Sequence, residues 1–153
     1  GRTNANDGFP SMAGDVLIPA STTTTGIDLA NATAILEGDV LLSGDINILR
    51  PKDTKQSAPF FAYLLTHNLK HKIASRAQGI TIVHLYGAHL KPLTVSVPEA
   101  QEQHAIASII MEADDEILRL EAQLTALRQE KAALMQQLLT GKRRVKLPES
   151  EVA

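Results

Sequence analysis

Residues 110–138 read IMEADDEILRLEAQLTALRQEKAALMQQL and lie within a longer segment, 99–139, that contains neither glycine nor proline. Aliphatic residues recur every seven positions at two interleaved places, which is the pattern of a coiled-coil helix. A helix of about 40 residues is about 60 Å long, too long for a small domain to bury. We therefore predict a long helix that pairs with a second helix along a seam. The predicted seam residues are Ile110, Ala113, Ile117, Leu120, Leu124, Leu127, Lys131, Leu134 and Leu138.

Lys131 is the polar exception in this seam, and it favours one orientation of the pair. In a parallel, in-register dimer it would face its own copy, so like charges would meet in a poorly solvated site. In an antiparallel pair that matches Leu124 with Leu127, Lys131 lies beside Leu120 of the other helix. Glu116 and Glu121 are then close enough to meet its ammonium group. We predict an antiparallel homodimer.

The residues before the long helix predict a small α/β (α+β) head. A Gly-Asp-Val-Leu sequence occurs at Gly14 and again at Gly38, and each copy is typical of a turn followed by a strand. Ser57 is a candidate helix N-cap, with Pro59 in the first turn and apolar residues at helical spacing after it. The predicted strands are 14–18, 38–42, 47–50, 80–83 and 93–97, the predicted helix runs from 57 to about 77, and 21–25 is predicted to be a loop.

The predicted domain organisation follows from these elements. Residues 1–97 form the head, residues 98–141 the coiled-coil helix ending at Gly141, and residues 142–153 a basic and then disordered tail. The chain begins at Gly1 rather than Met, so we expect a fragment of a longer protein and a head that is incomplete at its N-terminus. With 153 residues, the chain has room for one domain and one extended element.

Composition excludes several classes of protein. The chain has no cysteine, so disulfides and thiolate metal sites are excluded. The sequence shows no signal peptide and no apolar run long enough to cross a membrane, so we expect a cytoplasmic protein. His67 and His71 stand four residues apart, a spacing that can bind zinc, but the sequence offers no third ligand. We predict no metal site.

The net charge of −2 is unevenly distributed. From Arg50 to Lys91 there are seven Lys or Arg residues and one acidic residue, Asp53, which favours a polyanionic partner. Lysine and arginine neutralise phosphates, and amides and hydroxyls read base edges. The alternatives are a solvated helix face for the basic residues, and turns or strand pairing for the polar ones, including the threonines at 22–25. The candidate DNA-binding residues are Lys52, Lys55, Lys70, Lys72, Arg76, Gln78, Thr81 and His84.

Three motifs carry a family resemblance. The first combines QGIT at 78–81, HL at 84–85 and LKPLTVSVP at 90–98. The second is Glu102-Gln103 with Ile106-Ala107, Asp115 and Ile117, and the third is LMQQLLTGK at 134–142 with Val145. Over residues 36–146 the chain resembles the specificity (S) subunits of type I restriction-modification enzymes, with one target recognition domain and one conserved spacer helix.

The resemblance implies a non-catalytic subunit that recognises a bipartite double-stranded DNA target. It also implies docking of methyltransferase (M) subunits and, through them, of the restriction (R) subunit. S-adenosylmethionine, ATP and Mg²⁺ are then expected in the partner subunits, with no cofactor in this chain. Members of the family contain two recognition domains and two antiparallel spacer helices, whereas this chain shows one of each. A truncated fragment and a natural half-subunit that dimerises both remain open.

Two other classes of function remain as alternatives. The chain could be a coiled-coil oligomerisation protein whose α/β head binds another protein, in which case its binding to random duplex would show no salt dependence. It could also be a free-standing hydrolase or other enzyme. The sequence shows no catalytic constellation, nucleotide loop or methyltransferase motif, which disfavours that class.

Overall fold

The computed structural model describes residues 8–42 and 44–146. The chain divides into two compact units, Gly1–Ile109 and Ile110–Ala153. The boundary predicted from the sequence, between residues 97 and 98, lies just before the start of the long helix. The first compact unit also includes the first turns of that helix, in which Gln103 and Ala107 are buried.

The strands of the head are short and antiparallel. They are β1 (Phe9–Pro10), β2 (Val16–Pro19), β3 (Ser21–Thr22), β4 (Thr33–Ala34), β5 (Leu41–Leu42), β6 (Ile46–Leu49) and β7 (Val83–His84). The central sheet has the order β4-β2-β6, and its longest pairing joins Val16 to Leu49 and Pro19 to Ile46. The other two sheets pair β1 with β5 and β3 with β7.

The helical segment of the head begins where the sequence predicts. The Ser57 side chain accepts a hydrogen bond from the Phe60 N–H, and α1 (Ala58–Tyr63) has a proline in its first turn. The prediction of one continuous helix to about residue 77 is wrong, because the helical segment is interrupted. A π-helical stretch, Leu64–Asn68, separates α1 from α2 (Lys70–Ala74), and Leu69 at the junction has left the helical conformation with ψ of 3°.

Several other predicted elements differ from the structure. Of the strand expected at 80–83, only Val83 lies in a strand, β7. Residues 93–97 form no strand, although Leu93 and Val95 pack on the core. The segment expected to be a loop at 21–25 begins as β3. A short helix, α3 (Gly87–Leu90), and a 3₁₀ helix, Gly26–Leu29, were not predicted. Tertiary packing decides the state of such short segments more than local propensity does.

The core of the head lies between the central sheet and the helical segment. Ile18 of β2, Leu69, Ile73 of α2 and Leu85 are all buried among aliphatic side chains. Aromatic residues make up only 3% of the chain, and Phe60 is the aromatic side chain with the least exposure among the described residues. The core therefore rests on aliphatic packing, as the composition predicts.

A charged pair joins two neighbouring strands at one end of the central sheet. Asp15, just before β2, is fully buried, and Arg50, just after β6, donates to both of its carboxylate oxygens at 2.8 Å. The Met12 N–H donates to the same carboxylate at 2.8 Å. Hydrogen bonds from Arg50 first, and from the Met12 backbone as well, hold the pKa of Asp15 below its ordinary value against the effect of burial.

The long helix predicted from residues 99–139 is confirmed as α4 (Ala100–Leu139), a single helix of 40 residues. Two residues beyond its last residue, the predicted stop Gly141 has a φ of +72°, the left-handed conformation that glycine adopts most readily after a helix C-terminus. The predicted fold class, an α/β (α+β) head followed by a long C-terminal helix, is therefore confirmed.

Candidate nucleic-acid interface

The structure separates the candidate DNA-binding residues into two groups. Six of them lie on α2 and on the loop that follows it. Lys52 and Lys55 instead follow β6 at its Leu49 end. The separate sheet of β3 and β7 lies beyond the Ile46 end of β6, where the Leu85 N–H donates to the Ala20 carbonyl. The length of β6, about 13 Å at about 3.3 Å per residue, lies between the groups. We call the larger group the loop face: Lys70, Lys72, Arg76, Gln78, Thr81 and His84.

The loop between residues 78 and 84 is held rigidly at its base. The backbone N–H groups of Gln78 and His84 each donate to the other residue's carbonyl, at 2.9 Å and 2.7 Å. On its other side His84 pairs with Ser21 of β3. The loop is thus the outer part of a small antiparallel ribbon, and its base is fixed by backbone hydrogen bonds.

The side chains of this loop point outward from that base. Gln78 and Thr81 are exposed, and Ile80 at the tip has its full side-chain surface exposed. His84 is half-buried and stacks on Tyr86, with ring centroids 5.9 Å apart, and Tyr86 meets the edge of His89 at 5.6 Å. The sequence reasoning did not select Ile80, Tyr86 or His89.

Arg76 lies at the junction of α2 and the loop. One of its guanidinium nitrogens donates to the Lys72 carbonyl at 2.7 Å, so the side chain caps the C-terminus of α2. The His89 ring is hydrogen-bonded to the Arg76 carbonyl at 3.1 Å. A surface depression of about 330 Å³ is lined by Arg76, Gln78 and His89 among others, and it brings two predicted residues to one concave surface.

The threonines at 22–25 form local hydrogen bonds. Thr24 and Thr25 donate their hydroxyls to Asp28 at 2.6 Å and 2.9 Å, and the Thr22 and Thr24 hydroxyls are 2.8 Å apart. The bonds from Thr24, and then those from Thr25, lower the pKa of Asp28. The structure thus favours the turn interpretation of this run, since these hydroxyls are engaged within the chain.

Lys52 and Lys55 are exposed on the segment between β6 and α1. The His104 ring is hydrogen-bonded to the Lys55 carbonyl at 3.0 Å, and the Lys55 N–H donates to the Asp53 carboxylate. Their side chains therefore form a second basic surface. Arg50 does not contribute to it in the same way, because its guanidinium is bonded to Asp15.

Gln103 at the start of α4 has a structural role in the head. It is buried, accepts a hydrogen bond from the Ser57 N–H at 3.2 Å, and donates to the Pro98 carbonyl at 2.9 Å. Glu102 beside it is exposed. Both polar groups of the Gln103 side chain are therefore engaged within the head.

Within residues 8–42 and 44–146, no group of three or more His, Asp or Glu side chains could hold a metal ion. His67 stacks against Tyr63 at 6.2 Å. In the same ranges, no helix combines the length and the apolar character that a membrane span requires.

Residues 2–128 match the family model of the type I restriction modification DNA specificity domain. This chain belongs to that family. The family predicted from the motifs at 78–98, 102–117 and 134–142 is therefore confirmed, and the loop face is part of a DNA specificity domain.

Two individual proteins resemble this chain. The chain is 32% identical over 114 residues, 70% of its length, to the type I restriction enzyme MjaX specificity subunit of Methanocaldococcus jannaschii, of which it covers 26%. Its fold matches the crystal structure of the type I restriction-modification system S subunit from M. genitalium with a TM-score of 0.63 and 18% identity. That match covers 90% of this chain and 36% of the S subunit. This chain thus spans only about a third or less of the length of either relative.

Proposed function

We propose that this chain is a DNA recognition subunit, or half of one, that reads one half of a bipartite target and works in the cytoplasm without catalysing a reaction itself. The observation that carries the proposal is the loop face: a rigid ribbon that exposes Gln78 and Thr81 next to the basic residues of α2. A two-stranded ribbon fits the major groove of DNA, where base edges carry a full donor and acceptor code.

The helix supports the second half of the proposal, which is an antiparallel homodimer. Five seam residues, Ile117, Leu120, Leu124, Leu127 and Leu138, expose between 39% and 62% of their surface in the single chain. Aliphatic side chains repeated along one face of a helix gain most from burial against another helix. Because the head precedes the helix, antiparallel pairing places the two heads at opposite ends of the pair. Each head then reads its own half-site.

A second set of exposed apolar residues supports docking of a further partner on the helix. Met111, Leu118 and Leu139 each follow a seam position by one residue and are exposed. A pair of helices does not need this additional apolar surface. We assign it to the M subunits, which would bring the R subunit with them. S-adenosylmethionine, ATP and Mg²⁺ would bind to those partner subunits.

A salt titration of binding to random duplex DNA tests the proposal. Each phosphate contact contributes a slope of about 0.9 to the fall of log affinity with log salt. The double variant Lys70→Ala/Lys72→Ala should lower this slope by the amount expected for the loss of nearly two phosphate contacts. Lys52→Ala/Lys55→Ala removes the same charge from the second basic surface and is the matched comparison, since it shows which surface meets the backbone.

The outcomes separate the competing functions. A slope that falls only in the Lys70/Lys72 variant assigns the backbone contacts to the loop face. An equal fall in both variants places both basic surfaces on the DNA. Wild-type binding without salt dependence would refute the proposal and favour a head that binds protein.

A further inference from the structure

Ile80 is exposed to an unusual degree for a large aliphatic residue. It has its full side-chain surface exposed, yet the loop that presents it is fixed by the paired backbones of Gln78 and His84 and by β3. A rigid loop that holds an isoleucine in water gains nothing for the stability of the fold, because apolar surface is stabilised only when it is buried. The side chain is therefore available for a partner.

The surroundings of the loop favour a polyanion as that partner. Arg76 precedes it, and Lys70 and Lys72 lie on α2. The charge of Asp28 acts on Lys70, whereas among the described residues no ion pair joins Lys72 or Arg76 to a carboxylate. An apolar protein surface would leave these cations without counter-charges, whereas DNA supplies them.

The chemistry of DNA then limits what an isoleucine can contact. The major groove is about 12 Å wide and admits a two-stranded ribbon, whereas the minor groove is about 6 Å wide. Among base edges in the major groove, the 5-methyl group of thymine is the apolar feature. Gln78 on the same loop carries an amide, which can pair with adenine in that groove.

We propose that Ile80 packs on the 5-methyl group of a thymine in the major groove and makes the domain select an A·T pair at that position. This inference rests on the proposed function, and it adds a residue and a base to it. Gln78 and Thr81 beside Ile80 would then read polar edges of the same or adjacent pairs, so the loop combines apolar and polar readout.

The test replaces thymine with deoxyuridine, which lacks only the 5-methyl group. The full chain is first used to select duplexes from a random library, and affinity is then measured with each thymine of the selected site replaced in turn. The wild-type chain should lose about fourfold in affinity at one position, the worth of about one buried methyl group. Ile80→Ala should bind the thymine duplex and the deoxyuridine duplex with the same affinity, because it no longer contacts the methyl group. Ile80→Val should keep part of the discrimination.

The control is Leu36→Ala, because Leu36 is 61% exposed on another part of the head and should retain the wild-type discrimination. Since Ile80 makes no contribution to the core, Ile80→Ala should melt at the wild-type temperature. Discrimination that survives in Ile80→Ala, or a wild-type chain that binds duplex with salt dependence but ignores the methyl group, would overturn this inference alone. A wild-type chain without salt-dependent duplex binding would overturn the proposed function as well.

Discussion

Asp15 is a buried carboxylate, and its contribution to stability depends on its ion pair with Arg50. Its side chain is fully buried, while that of Arg50 is 44% exposed. Removing one partner of a buried ion pair costs about 3–5 kcal/mol because the other charge is left uncompensated. Water screens the exposed part of Arg50, so we expect Arg50→Ala to lower the free energy of unfolding by less than this full cost. Lys52→Ala, two residues along and exposed, should leave it unchanged in the same denaturant titration.

The same pair predicts a pH dependence of stability. The pKa of Asp15 is lowered from its ordinary 3.8 by the hydrogen bonds from Arg50, so folding favours the ionised form. The contribution is complete above about pH 5 and is lost as the pH falls through the lowered folded-state pKa. Thermal melts between pH 2 and 7 should show wild type more stable than Asp15→Asn near pH 7, with the difference shrinking in acid. A difference that grew toward pH 2 would contradict the assigned direction.

At the scale of an element, the 78–84 loop depends on one glycine. Gly79 has a φ of +132°, and a Cβ there would lie 1.9 Å from the Ile82 carbonyl oxygen. A side chain at such a position costs on the order of 1–3 kcal/mol. We expect Gly79→Ala to lower the melting temperature and to weaken duplex binding, because the loop must rearrange. Gly44→Ala is the matched control, since a Cβ at Gly44 meets nothing within 4 Å.

At the scale of the whole molecule, the seam of α4 predicts the oligomeric state. Leu120→Asp/Leu127→Asp places charges in two seam layers and should convert the proposed dimer into a monomer, measured by light scattering. Leu118→Asp adds the same charge at an exposed residue outside the seam and should leave the dimer intact. A seam variant that still elutes as a dimer would refute the assigned seam. Loss of M-subunit binding by the Leu118 variant, with the dimer retained, would locate the docking surface on the helix.

The sequence by itself determined the elements whose signals are local and repeated. The spacing of Ile117, Leu124 and Leu138 predicted α4, Ser57 predicted a helix start, and Gly141 predicted a helix end. Each signal lies within a few residues of what it specifies, because helical periodicity and capping are short-range effects. The family motifs were readable for a related reason, since the residues of each lie close together along the chain.

Only the tertiary structure decided which polar residues remain available to a partner. The sequence counted Arg50 with Lys52 and Lys55, but the fold joins Arg50 to Asp15, which is 35 residues away. It also encloses Gln103 against Ser57 and presents Ile80 to solvent. These outcomes depend on contacts between distant segments, and no local pattern encodes them. A charge count along the chain shows where basic residues lie, and the fold decides which of them lack a partner within the chain.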